Sequence, residues 1–432
     1  MLLLAFAGYH LWLSSRIKGR LTAVRVLKEP VTLKELNNYY VEVPAASNAA
    51  VPFEKAFNLL QKNVAPKFLE TLNDLPSGSA PLPVQLRETM EKACQENADA
   101  LTALDEGAKL RACRYPVDYT SGWATLLPHL KHLQKCSALE MCHGALCEQK
   151  NDIPGGIAAT ETIMQLAASL DSEPDLISAV IQNKLYSHAS ELLRWMLNHR
   201  QLSREQLAKL QEIFAGEEGT NRLDRAILGK RCMILATFDY SAREILNAID
   251  PGYKDPWAAR LGIHVLRIYG ALKKDELRCF DRVEECRQTL HLSLPLRLDR
   301  AAELRLAMNQ EAKSKKIILT GVLLSMFLKG IERDAVSIAQ RRLVRTALAL
   351  EQFRTAQGAL PSSLSELSPT FLSQVPMDPF GDEAIRYHNQ DNGYVLYSIG
   401  PDRKDDEATK QIPRDPKIEQ PHGDIIFSVS RK

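Results

Sequence analysis

From Phe53 to Phe353 the apolar residues recur at three- and four-residue spacing, and the two-residue alternation of a half-buried strand appears only after Ile385. That order constrains the fold more than any total does: helices come first, and the sheet is small and C-terminal. Helical spacing predicts helices over 53–60, 123–147, 157–170, 174–198, from Ser203 onward, and 332–357. Turns rich in glycine, proline or polar residues separate them, at 75–83, 150–156, 216–219, 250–252 and 294–295. Short turns between long helices lay neighbours side by side as antiparallel hairpins. No fixed repeat period emerges. Three helix starts carry a hydroxyl residue followed three positions later by Glu or Gln: Thr32/Glu35, Ser203/Gln206 and Ser363/Glu366. Each can cap its own free amides. Strands are expected over 385–388 and 394–399, flanking an Asn-Gly turn at 389–393, and over 424–429.

A chain of 432 residues is too long for one simple core. The expected division is an N-terminal anchor with a basic helix over 1–28, a helical-hairpin body over 29–330, and an α+β unit over 331–432. The formal charge of +2 gives no concentrated basic face, so no nucleic-acid partner is expected. The eight cysteines lack paired C-x-x-C spacing, and buried free thiols are the expectation. Residues 2–13 (LLLAFAGYHLWL) form an apolar run followed by Arg16, Lys18 and Arg20. Twelve apolar residues fall short of the about 20 that span a bilayer. Trp12 and the basic cluster nevertheless resemble an interfacial belt, and the reading is a membrane anchor begun further upstream, with an interfacial or buried helix as the alternative.

The C-terminal residues resemble the globular part of type II secretion major pseudopilins. Residues 348–361 (LALEQFRTAQGALP) match that family's helix end, glycine stop and proline, and residues 363–380 (SLSELSPTFLSQVPMDPF) match its short helix and D-P-W/F step. Residues 385–387, 394–402 (YVLYSIGPD) and 424–425 follow in family order. The resemblance implies a long helix packed on a small antiparallel sheet, with Phe380 beneath it. Asp-Pro at 378–379 turns the chain sharply, because proline pushes its predecessor towards extended geometry. The resemblance also implies calcium in the loop after the S-x-G-x-D step, held by Asp402 and Asp424 with Asp405 and Asp406 nearby. This chain departs from the pattern at Arg403 and Asp406-Glu407, where glycines are usual, and over 411–421, a proline-rich insertion. The apolar run 317–328 precedes the last long helix as a pseudopilin's leading segment would, but it is internal and lacks the expected glutamate. It reads as a buried helix of the body, which argues against filament building. Residues 29–37 (EPVTLKELN), 48–50, 114–118 and 126–129 are similar to runs in large uncharacterised bacterial proteins that end in the same pseudopilin-like unit.

Zinc is the competing metal. His129, His132, Cys136, His143 and Cys147 fall near one face of a helical stretch with Cys142 adjacent, but one straight helix cannot wrap four ligands around an ion. H-E-x-x-H, G-x-S-x-G, the P-loop and the dinucleotide glycine fingerprint are all missing from the sequence, so no enzyme is expected. Adjacent carboxylates such as Glu284-Glu285 and Asp405-Asp406 diverge on a regular element and do not form an acid/base pair. The expected function is structural or interaction-based: an envelope protein on the bacterial cell membrane, its bulk extracytoplasmic, meeting a protein partner there. The alternatives are a helical adaptor with an exposed apolar groove, and an enzyme with a concave pocket.

Overall fold

The computed structural model describes residues 2–60, 66–72, 75–215, 221–249, 257–314, 318–409 and 423–431. The expected turns at 216–219 and 250–252 and the insertion over 411–421 lie outside them. The chain is mostly helical with a small antiparallel sheet at its C-terminal end. An N-terminal group comprises α1 (Leu2–Val26), α2 (Leu33–Tyr39), α3 (Ala50–Leu60), α4 (Pro66–Thr71), α5 (Val84–Glu96) and α6 (Ala98–Ala108). A central group follows: α7 (Pro128–Gln149), α8 (Ile153–Ala168), α9 (Leu176–His199) and α10 (Arg204–Ile213). Next come α11 (Asn221–Asp239), α12 (Ala242–Ile249), α13 (Trp257–Ile268), α14 (Ala271–Leu290) and α15 (Leu296–Lys313). The last helix is α16 (Leu319–Gln357), and the strands are β1 (Arg386–Gln390), β2 (Gly393–Ser398) and β3 (Ile425–Ser430).

Helices α7, α8 and α9 pack on one another at the centre. A Cβ on Gly144 of α7 would sit 2.5 Å from Leu192 of α9 and 3.0 Å from Ala159 of α8, so glycine sets how closely the three approach. The three capping boxes form as expected. The helix expected over 123–147 instead starts at Pro128, whose fixed φ and missing N–H suit a first turn. A 3₁₀ segment, Tyr119–Ala124, precedes it and turns at Gly122. The 150–156 break is shorter than expected, because Asp152 accepts from the Gly155 amide and starts α8 at Ile153.

Two apolar cores run through the molecule, and α16 belongs to both. Leu319, Leu324, Phe327 and Ile331 pack with α11, α14 and α15, while Ala339, Leu343, Ala347 and Leu350 pack with α7–α10 and the strands. The 317–328 run is therefore not a separate element: from Leu319 on it is the first part of a 39-residue helix, and residue 330 lies in mid-helix. Gly358, at φ 77°, ends it.

The sheet has the order β1-β2-β3, both pairs antiparallel, with Leu396 opposite Tyr387 on one side and Phe427 on the other. Tyr394, Leu396, Phe427 and Val429 join the same core as α9 and α16. Asn198 of α9 donates to the Ser428 carbonyl and accepts from the Ser430 amide, and Arg431 reaches the Leu197 carbonyl at 2.6 Å. The sheet is thus sewn to the helical body. Phe380 is buried, as expected.

The N-terminus corrects the sequence reading. Among the described residues, no helix is long and apolar enough to cross a membrane. The apolar run 2–13 is only the first half of α1, whose second half carries Arg16, Lys18, Arg20 and Arg25. Leu13 and Ile17 are buried, and Arg20 pairs with Asp281 of α14 at 2.5 Å. The expected anchor, the bacterial membrane location and the extracytoplasmic placement built on it are overturned.

Candidate functional site

The C-terminal loops gather the aspartates singled out by the sequence, around one that was read only as a turn residue. Asp378 is fully buried and accepts from the Phe380 amide (3.0 Å), the Ile399 amide (2.9 Å) and the Ser398 hydroxyl (2.8 Å). Arg386 lies 3.4 Å from Asp378 Oδ2, the oxygen that also accepts from the Ile399 amide, and 2.7 Å from Asp405. Four donors on one carboxylate fix the helix-to-sheet corner. Burial pushes the Asp405 carboxyl up, but the Glu407 amide and Arg386 outweigh it and hold it below the usual range.

Asp402 accepts from the amides of Lys404 and Gly423, and Asp424 from that of Ala408 at 2.8 Å. Burial raises the Asp424 carboxyl; its amide partners oppose this, and the neighbouring Asp405 and Asp406 add to it. Asp424 Oδ1 and Asp406 Oδ2 are buried without a hydrogen-bond partner. Arg403, in the family's glycine position, keeps φ at 56° and pairs with Asp299 of α15 at 2.7 Å. The four expected calcium ligands thus share one loop, with most of their oxygens taken by the loop's own amides and Arg386. Among the described residues, no group of three or more His, Cys, Asp or Glu side chains is placed to hold a metal.

The zinc candidates are dispersed. His129 stacks on Tyr115, with ring centroids 4.4 Å apart, and His132 stacks on Phe57 at 5.4 Å. Cys136 and Cys142 are fully buried, and burial pushes both thiols up. His143 and Cys147 belong to a separate cluster with Glu140.

A polar network that the sequence did not disclose lies behind His129. Glu173 Oε1 is 2.9 Å from His129 Nε2, at ion-pair distance but without hydrogen-bond alignment. Glu173 also accepts from the Tyr40 hydroxyl (3.2 Å) and the Ser178 hydroxyl (2.5 Å), and the Tyr115 amide donates to the Tyr40 oxygen. Tyr40 and Glu173 are 133 positions apart, so no local spacing could signal them. A cavity of 360 Å³ lined by Glu54, Phe57, Asn58, His129 and His132 adjoins the network. Burial raises the Glu54 carboxyl against the pull of His129. The His129 side chain is only 5 % exposed and the Glu173 side chain not at all, so the pair ties α2, α7 and the start of α9 together and offers little to a ligand.

Among the described residues, two helices expose apolar side chains. On α13, Trp257, Leu261, Val265 and Ile268 are exposed at helical spacing, and Tyr269 follows. On α1, Leu4, Phe6, Leu11 and Trp12 are exposed, Leu4 at 78 %. The two helices meet where His10 Nε2 lies 2.9 Å from the Ile268 carbonyl. Neither helix carries a carboxylate, whereas Arg16, Lys18, Arg20 and Arg25 line α1 and Arg260 and Arg267 line α13. At 150–250 Å² per ring, Phe6, Trp12, Trp257 and Tyr269 alone expose on the order of 500 Å².

No family model, curated protein or solved structure matches the chain. The links to type II secretion and to calcium, drawn from the C-terminal resemblance, gain no support from these comparisons or from the geometry of the loop.

Proposed function

We propose that this chain is a non-enzymatic interaction protein, a helical adaptor that binds a protein partner through the exposed faces of α1 and α13. The observation that carries the reading is that apolar surface, because leaving two tryptophans and several aliphatic side chains in water is unfavourable unless something covers them. Arg20 and Arg25 are paired with Asp281 and Glu35, but Arg16 and Lys18 leave α1 a basic rim, which suits a protein surface that is apolar at its centre and rimmed by Asp and Glu. A second copy of the chain would bring like charges together. In this reading residues 331–432 are a pseudopilin-like unit used as a fixed wall of the body. The sharing of α16 and the ties from Asn198 and Arg431 support that use over a displayed head.

The test is affinity capture by the full chain, compared with the double variant Trp257→Ser, Leu261→Asp. The reading expects a protein captured by the parent, displaced by salt, and lost from the variant, with unchanged circular dichroism. Equal capture by both proteins sinks the surface. Concentration-dependent dimerisation by light scattering would overturn the choice of partner and put a second copy in its place.

A further inference from the structure

Helix α7 places three chemically related side chains on one face at successive turns: Glu140, His143 and Cys147. Glu140 is fully buried, and neither of its carboxylate oxygens accepts a hydrogen bond. The His143 ring lies beside it, with Nδ1 3.5 Å from Oε2. His143 is 37 % exposed, so it links the buried carboxylate to solvent. Cys147 lies one turn further on. Its sulfur sits against the first turn of α8, so closely that a Cβ on Gly155 would be 2.9 Å from Sγ. A helix N-terminus and an adjacent imidazole are both settings that favour a thiolate over a thiol. Asp152 caps the same turn as an opposing charge, with Oδ1 held by the Gly155 amide.

For Cys94, Cys113, Cys136, Cys142, Cys232, Cys279 and Cys286, burial pushes the thiol up. The His143 ring, conversely, is raised to about 10, first by Cys147 and then by Glu140, with burial opposing.

We propose that Cys147 is a nucleophilic thiol, a modification site for hydroperoxides and other soft electrophiles, with His143 as its proton acceptor and Glu140 as the group that orients the ring. His143 takes the thiol proton, and the thiolate attacks the terminal oxygen of the hydroperoxide. The S–O bond forms as the O–O bond breaks. Sulfur loses two electrons and becomes a sulfenic acid, while the peroxide is reduced to an alcohol that leaves with the proton held by His143. Glu140 touches neither sulfur nor oxidant and acts through the ring alone.

Accessibility and chemistry make opposite forecasts, which gives a clean experiment. Cys94 is more exposed than Cys147, which is 8 % exposed. The native full chain would be treated with limiting iodoacetamide, and in parallel with hydrogen peroxide plus a sulfenic-acid trap, and each cysteine's modification rate read by peptide mass spectrometry. The proposal expects Cys147 to react first with both reagents. His143→Asn should slow Cys147 about tenfold or more and leave Cys94 unchanged. Glu140→Gln should slow it less. Cys94 reacting first in the parent chain overturns the proposal, a result that needs no variant to fold. A Cys147 rate unchanged in His143→Asn, with the Cys94 rate preserved as a control on folding, overturns it equally.

Discussion

The first and last regular elements of this chain are both rich in apolar side chains, and the fold uses them in opposite ways. In β3, Ile425, Phe427 and Val429 are buried, the partner strand is paired along its length, and α9 supplies hydrogen bonds through Asn198. In α1, Leu13 and Ile17 are buried while Leu4, Leu11 and Trp12 face outward. The backbone explains the contrast. A strand leaves its amides and carbonyls unsatisfied until another strand or side chain pairs with them, so an apolar strand is drawn inside. A helix satisfies its own backbone, so an apolar helix can stay at the surface and wait for a partner. Apolarity alone therefore does not say where a segment ends up; the hydrogen-bonding state of its backbone does.

The comparison can be broken most forcefully at the C-terminal corner. Asp378→Ala leaves two amides, a hydroxyl and Arg386 without their acceptor in a buried site. It should cost about 3–5 kcal/mol, seen as a lowered urea midpoint at unchanged slope. Phe427→Ala in β3 should cost about 3 kcal/mol by the same measurement. A loss of under about 1 kcal/mol at either position would mean that the sheet is not locked to the body.

The interior also sets a pH dependence. His188 is buried beside Ser137, with Nδ1 2.8 Å from the hydroxyl; burial first, then the Lys184 charge, lowers its ring from 6.5 to about 3. The unfolded chain takes up this proton and the folded chain does not, so stability is complete above pH 6.5 and falls as the pH drops from there towards 3. Between pH 6.5 and 5 the loss should be about 2 kcal/mol, measured by denaturation across pH. His188→Gln should flatten that slope, and an equally steep slope in the variant would remove His188 as the cause. The smallest effect belongs to the edge: Leu11→Ala should change stability by no more than about 0.5 kcal/mol. A cost near that of Phe427→Ala would show α1 to be part of the core.

Local signals in the sequence identified local structure well. The alternation over 424–429 and the Asn-Gly turn gave the strands to within about two residues, because strand pairing and turn chemistry are written in adjacent positions. The capping boxes at Thr32, Ser203 and Ser363 were equally readable. The fusion of 317–328 with the last helix was not: two differently patterned stretches face different cores, so the apolar stripe shifts along α16 and hides its continuity. The anchor reading failed because an apolar run and a basic cluster look alike in an interfacial belt and in a surface helix. At the candidate sites, Asp402, Asp405, Asp406 and Asp424 were legible as a cluster, but their ties to Arg386 and the loop amides were not. Glu173 and Tyr40 had no signature, since only tertiary packing brings them together. The apolar face of α13 could have been found from Trp257, Leu261, Val265 and Ile268 by spacing, but exposure and burial produce the same period.

The most direct measurement is native-state hydrogen exchange on the full chain, following the amides of Leu396 in β2 and Val429 in β3 alongside that of Leu192 in α9. If sheet and central helices form one core, all three should exchange through the same opening, with equal free energies and equal response to denaturant. Strand amides that exchange at markedly lower free energy while Leu192 stays protected would show a C-terminal unit that unfolds on its own, and would contradict its role as a wall of the body.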